Sequence, residues 1–206
     1  MFSPEESKRV AELVRAVEAR TSGEVAVAWA ARSDDYALVR GLWALALASA
    51  VSVELGVGLP AIPLLLLPML TVLGTIGLYF LLGAGPILRA ILPDALLSER
   101  VQRRAQIAFL ECGVTETAAR GGVLLFLSAV EHRVQILADT GIAARVDANV
   151  WQAVVDELIL ALKDGRTMPG LERALGRIGD LLETEFPRAP GDQNELGDAP
   201  RELGPA

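Results

Sequence analysis

The chain has 206 residues, 52% of them hydrophobic, and a formal net charge of −7. A mean hydropathy of +0.40 is high for a soluble domain, and a pI near 4.8 argues against nucleic-acid binding, which needs a basic stripe to meet phosphates. One cysteine and one histidine exclude an internal disulfide framework and make a structural zinc centre untenable.

The N-terminus opens with Ser3 as a helix cap, Pro4 at the first helical position and Glu6 placed to complete a capping box. Val10, Leu13, Val14 and Val17 mark one helical face, and Gly23 stops it. This acidic, amphipathic start has no apolar core of a secretory signal, so the first half of the chain is expected to begin in the cytoplasm. Residues 23–31 are apolar at nearly every position after Glu24, as suits a strand buried on both faces. A polar stretch, Ser33-Asp34-Asp35-Tyr36, lies just past its end.

Two apolar runs follow back to back, 41–59 and 62–82, parted by Leu59-Pro60-Ala61 and their neighbours. Each is about 20 residues, the length that crosses ~30 Å of hydrocarbon as a helix, so the pair is expected to form a transmembrane hairpin. Arg32 and Arg40 precede it and Arg89, Arg100, Arg103 and Arg104 follow, whereas the turn carries no Lys or Arg. The positive-inside rule then places both termini in the cytoplasm, with the anchor in the cell's inner membrane. Residues 83–97, broken by Gly85-Pro86 and Pro93, read as a connector on the membrane surface.

A helix is expected from Ser98, with Val101, Ala105, Ala108, Phe109 and Cys112 on one face and Gly113 at its end. Residues 122–128 and 133–138 read as two strands whose four-residue connection fits an antiparallel hairpin. Two amphipathic helices close the domain. One carries Val150, Trp151, Val154, Val155, Leu158 and Leu162; the other, capped by Thr167 with Pro169 in its first turn, carries Leu171, Leu175, Ile178, Leu182 and Phe186. From Pro187 the sequence is rich in Pro, Gly and acid, which predicts disorder. The fold class is therefore α/β: an α/β/α sandwich with a small mixed sheet, interrupted by a two-helix transmembrane hairpin. The segments are 1–40 and 98–186 for the α/β domain, 41–82 for the hairpin, 83–97 for the connector and 187–206 for the tail.

Thr21-Ser22-Gly23-Glu24-Val25, Gly122-Val123-Leu124-Leu125, the stretch 134–141 and the closing helices, with Gly170-Leu171 opening the last, together resemble the TPM domain family. That family is named for thylakoid and membrane relatives, one of them linked to photosystem II repair. Asp192-Gln193-Asn194-Glu195-Leu196 resembles the end of a bacterial membrane branch that inserts a hairpin after the first strand. The resemblance covers about 150 residues and implies an α/β/α fold. It also implies one of three roles: acid phosphatase, calcium binder or accessory factor of a membrane complex. Typical relatives are exported with a terminal anchor, so activities known outside the cytoplasm do not carry over directly.

If the strands 23–31 and 122–128 run parallel, one sheet end gathers Ser33, Asp34, Asp35, Ser128, Glu131 and His132, where ligands of open α/β sheets collect. Asp34, Asp35 and Glu131 are the candidate ligands for Ca²⁺ or Mg²⁺, which prefer oxygen donors. Asp34, Asp35 and His132 are the candidate catalytic groups, with a metal polarising a phosphoryl oxygen. The plainer alternative is that the aspartates form a solvated turn feeding the hairpin, and that His132 is a hydrogen-bonded turn residue. Asp139-Thr140-Gly141 at the other sheet end binds an ion or forms an Asx turn. Glu54, the carboxylate inside the first run, lies roughly 7–8 Å before the turn, within reach of the far interface, and Cys112 reads as packing. Alanines at 44, 46, 48 and 50 allow close helix approach, and with it a homo-oligomer.

Because the strand end feeding the hairpin is expected to face the bilayer, a soluble substrate reaches it poorly. The leading expectation is an integral membrane, non-enzymatic accessory or interaction module with a membrane-protein partner. The alternative is a divalent-metal-dependent phosphatase at the strand ends. A third reading, sensing of anionic lipid through Arg89, Arg100, Arg103 and Arg104, ranks below both.

Overall fold

The computed structural model describes residues 2–59 and 62–206, so Pro60 and Ala61 of the expected turn lie outside it. In chain order the elements are α1 (Pro4–Glu18), β1 (Glu24–Ala30), α2 (Ala37–Gly58), α3 (Leu66–Leu82), α4 (Gly85–Ile91), α5 (Asp94–Glu111), β2 (Gly122–Ser128), β3 (Arg133–Ala138), α6 (Thr140–Ala143), α7 (Ala148–Lys163), α8 (Thr167–Glu185) and β4 (Arg201–Leu203). They divide into an α/β unit, up to Asp34 and from Leu97 onward, and a helical unit, Asp35–Leu96.

In the α/β unit the sheet order is β3-β2-β1-β4, with β1 parallel to β2 and β4, and β3 antiparallel to β2. Alternation along the strands sorts the core into two layers. Val25, Val27 and Trp29 of β1 face α1, α7 and α8 together with Val123, Leu125 and Leu127 of β2. Ala26, Ala28 and Ala30, with Leu124 and Phe126, face Val101, Ala105, Ala108 and Cys112 of α5. A close approach is at Gly122, where an added Cβ would meet the Val114 carbonyl oxygen at 2.6 Å. Every residue of β1 and β2 is buried, as their near-continuous apolar sequence requires.

The start of α1 forms as its sequence dictates. Glu6 N–H donates to the Ser3 hydroxyl (3.2 Å) and Ser3 N–H to the Glu6 carboxylate (2.8 Å), closing both halves of the capping box. Two helix starts differ from expectation. Thr167 is the first residue of α8 rather than its cap, which is Arg166. Pro93 separates α4 from α5 instead of interrupting a surface segment, so α5 starts at Asp94 rather than Ser98.

The largest departure is the tail. The stretch from Pro187, expected to be disordered, threads along the α/β unit and ends in β4. Thr21 bridges Pro187, and Arg201–Leu203 pair with Ala28–Ala30. Composition misleads here because backbone pairing and charged side chains hold this segment, with Leu196 and Leu203 as its apolar anchors.

In the helical unit, α2 is long and apolar enough to cross a membrane. Leu42, Leu45, Leu47, Val51 and Val53 along it are all exposed, a larger apolar surface than soluble monomers usually show. Its partner α3 has 17 residues and starts at Leu66, not Ile62; α4 leaves it at a bend of 97°. The two long helices pack through the small residues Ala44, Ala48 and Ser52, which are buried, whereas Ala46 and Ala50 point outward. Thr71 donates to the Ser52 hydroxyl at 2.7 Å, and Gly74 abuts Ala48. At the other end the buried Arg40 donates to the carbonyl of Tyr79 (2.8 Å) and lies 4.2 Å above its ring. The absence of a side chain at Gly83 makes room for that guanidinium.

Candidate functional site

Parallel pairing of β1 and β2 puts their carboxyl ends side by side, and the segments that follow them are stitched together. Ala129 N–H donates to the Ala30 carbonyl (3.0 Å) and Val130 N–H to that of Ala31 (2.9 Å). Beneath these bonds Ser33, Ser128 and Glu131 are buried, each with at most 3% of its surface exposed. Ser33 N–H donates to one Glu131 oxygen at 3.0 Å and the Ser128 hydroxyl to the other at 2.5 Å. The Ser33 and Ser128 hydroxyls are 2.7 Å apart, so Ser33 donates to Ser128 while Ser128 donates to Glu131. A charge-assisted O–H···O⁻ bond of this length is among the strong ones.

This is the group the sequence gathers at the strand ends, and three of its members do converge. The arrangement is inward-facing. Both Glu131 oxygens accept from within the network. Asp34 pairs with Arg100 at 3.2 Å. Asp35, in the helical unit, accepts from Ala37 N–H (2.9 Å) and so holds the first turn of α2. His132 sits in the hairpin turn with φ of 52°, a left-handed conformation His enters more readily than most residues. With Leu127, Ser128, Ala129, Leu162 and Thr167 it lines a cavity of about 160 Å³. Among the described residues no group of three or more His, Cys, Asp or Glu is arranged to hold a metal ion.

At the other sheet end Asp139 caps α6, accepting from Thr140 N–H (2.6 Å), and pairs with Arg120 at 3.0 Å. A second cluster near β1's start goes unread in the sequence. Glu18, at the end of α1, and Glu24, at the start of β1, are both buried. Glu18 accepts from Val25 N–H (3.0 Å) and from the Asn194 amide (3.1 Å), and Glu24 accepts from Leu196 N–H (3.2 Å). Asp198 accepts from Arg15 (2.5 Å) and Asn194 (2.6 Å). With Arg188 and Asp192, the side chains of Arg15, Glu18, Glu24 and Asn194 border a cavity of about 120 Å³.

Burial raises Glu18 from its ordinary 4.5 to about 8, against the pull of the Val25 N–H and with the help of the Glu24 and Asp198 charges. Burial raises Glu24 as well, opposed by the N–H groups of Leu196 and Glu195. Burial pushes Asp198 upward too, but hydrogen bonds from Arg15 and Asn194 outweigh it and hold this carboxyl low. Burial thus favours the protonated form of Glu18. The signal for this cluster lies in Glu24, a carboxylate opening an otherwise apolar strand, and in the Asp192–Leu196 stretch. Nothing local in the sequence links the two.

Residues 87–181 match the model of the TPM domain. The resemblance read from the sequence is thus borne out over residues 87–181. The fold is similar to that of the BA42 protein from the psychrophilic bacterium Bizionia argentinensis, solved by NMR, with a TM-score of 0.62 at 18% identity over 98% of this chain and 96% of that one. At that identity the likeness is one of fold. No curated protein matches the chain significantly. The TPM match takes in β2, β3 and most of α8 together with the buried Ser128 and Glu131. The first strand and the tail that meets it lie outside the match.

Proposed function

We propose that this TPM-domain protein is an integral membrane accessory module that works by contact rather than by turnover. The helical unit is its anchor, with α2 and α3 both crossing the cytoplasmic membrane and both termini in the cytoplasm. The α/β unit is its interaction domain, and its partner is a membrane-protein complex. The observation that carries this reading is the closed Ser33–Ser128–Glu131 network. The nucleophile-and-base chemistry that a strand-end site would use is committed to holding two loops together. The Arg100 pairing of Asp34 and the hydrogen bond that Asp35 accepts from Ala37 N–H point the same way. The exposed apolar length of α2 supports the anchor. Arg40 and Arg104 are buried, so the orientation rests on Arg32, Arg89, Arg100 and Arg103.

The competing reading is a phosphatase dependent on Ca²⁺ or Mg²⁺ and acting through Asp34 and Asp35. Purified protein in detergent, assayed for phosphate release from a generic phosphoester with and without either ion, separates the two. The accessory role predicts no release above that of the Asp34→Asn/Asp35→Asn double variant. Metal-dependent turnover that vanishes in the double variant would overturn it.

A further inference from the structure

Residues 188–206 meet the α/β unit as a bound peptide meets its receptor. Arg201–Leu203 add a parallel strand to the outer edge of β1, in register with Ala28–Ala30. Two apolar anchors, Leu196 and Leu203, pack against the α5-side core. Polar contacts read the backbone and acids between and beyond them. Glu195 accepts from Ala118 N–H (2.9 Å). Glu24 accepts from Leu196 N–H, and the buried Arg104 donates to the Gly204 carbonyl (2.7 Å). Main-chain pairing for affinity with a few side-chain seats for selectivity is how a sheet edge takes up an extended peptide.

The mooring of this segment is also rich in charged groups. Glu18 of α1 and Glu24 of β1 face Asp192 and Asp198 of the tail, with Arg15 and Arg188 as the cations beside them. Between Pro187 and Arg201 the chain forms neither helix nor strand. Segments with few buried apolar contacts and no regular structure open first. On its other side β1 pairs with β2 over its full length, and that pairing does not involve the tail.

We propose that the outer edge of β1 is a peptide-binding groove which the chain fills in cis with residues 188–206. Its partner is an extended acidic segment of a membrane-complex subunit, bearing an Asn-Glu-Leu-like sequence and a second leucine seven residues on, which takes the tail's place. The sequence of the tail itself defines that chemistry. The inference rests on the accessory-module reading and supplies its docking edge.

The test uses the full chain and a fluorescently labelled synthetic peptide of residues 188–206 as the probe. Two full-length variants loosen the tail: Leu196→Ala/Leu203→Ala and Asn194→Ala/Asp198→Asn. Hydrogen exchange at residues 201–206 reports its release. Because an occupied groove weakens apparent affinity in proportion to the fraction left open, a loosened variant should bind the probe about tenfold or more tightly than the wild type. A probe with both leucines changed to Ala should not bind. If a variant with freely exchanging 201–206 amides fails to bind the probe, the groove does not exist. If neither variant frees those amides, the tail is a fixed part of the fold, and the proposal is equally overturned. Either failure leaves the accessory role standing when the protein still cross-links to a membrane partner, so the two ideas fall separately.

Discussion

Replacing Glu18 with glutamine probes the buried carboxyl cluster most sharply. Between pH 4.5 and about 8 the folded chain holds a proton on Glu18 that the unfolded chain has released. Stability that is fully present below pH 4.5 is therefore lost as pH rises through this window, and the loss levels off above pH 8. At ~1.4 kcal/mol per pH unit the ceiling is ~5 kcal/mol. The cluster borders a water-accessible cavity, and solvent screening brings the expected loss to roughly 2–3 kcal/mol. A glutamine side chain cannot ionise, so the substitution removes that component. Glu24 is raised as well, acts in the same direction and is present in both proteins, so the comparison reads Glu18 together with its coupling to Glu24. Urea unfolding in detergent, followed by Trp29 and Trp151 in a Trp43→Phe background, reads the α/β unit. From about pH 5 to about pH 8.5 the wild type should lose roughly 2–3 kcal/mol more than Glu18→Gln. Equal pH dependence in the two proteins would refute the assignment of the proton to Glu18.

Three further predictions follow from packing and burial. Gly122→Ala drives a methyl group into the backbone of Val114 and should cost about 2–3 kcal/mol in the same unfolding assay. Glu131→Ala leaves Ser33 N–H and the Ser128 hydroxyl without their acceptor in a buried site, at about 2–3 kcal/mol; undiminished stability would show that the network does not clamp the loops. Val51→Arg on the exposed face of α2 puts a charge worth ~3 kcal/mol against insertion near the helix centre. It should move protein from the carbonate-resistant membrane fraction to the soluble one, whereas Leu110→Arg on α5 should not.

Much of the α/β framework is written locally. The near-continuous apolar runs of β1 and β2, the capping box at Ser3–Glu6 and the four-residue link between β2 and β3 each impose their geometry without help from distant residues. The strand-end cluster is legible for a related reason, because parallel pairing fixes which loops meet. What cannot be read there is accessibility: Ser33, Ser128 and Glu131 look alike in sequence whether they face a substrate or one another. The tail reads as disordered because disorder is inferred from missing apolar residues, and here a strand edge, an Asn and two leucines suffice to hold it. The Glu18 cluster escapes because it forms only when Asn194 and Asp198 return across nearly the whole chain to meet α1. In the helical unit, composition marks α2 and α3 as apolar, but a uniformly apolar run carries no cap signal to mark the start of α3 at Leu66.

The claim that the protein works by contact is tested most directly by photo-cross-linking in native membranes. A photoreactive amino acid would replace Leu110 or Leu160, the two large apolar side chains left exposed among the described residues of the α/β unit. The accessory role predicts a discrete adduct with a membrane protein from at least one of these positions, unchanged by Asp34→Asn/Asp35→Asn. Monomer alone at both positions, in membranes where the wild type releases phosphate in a metal-dependent way, would contradict it.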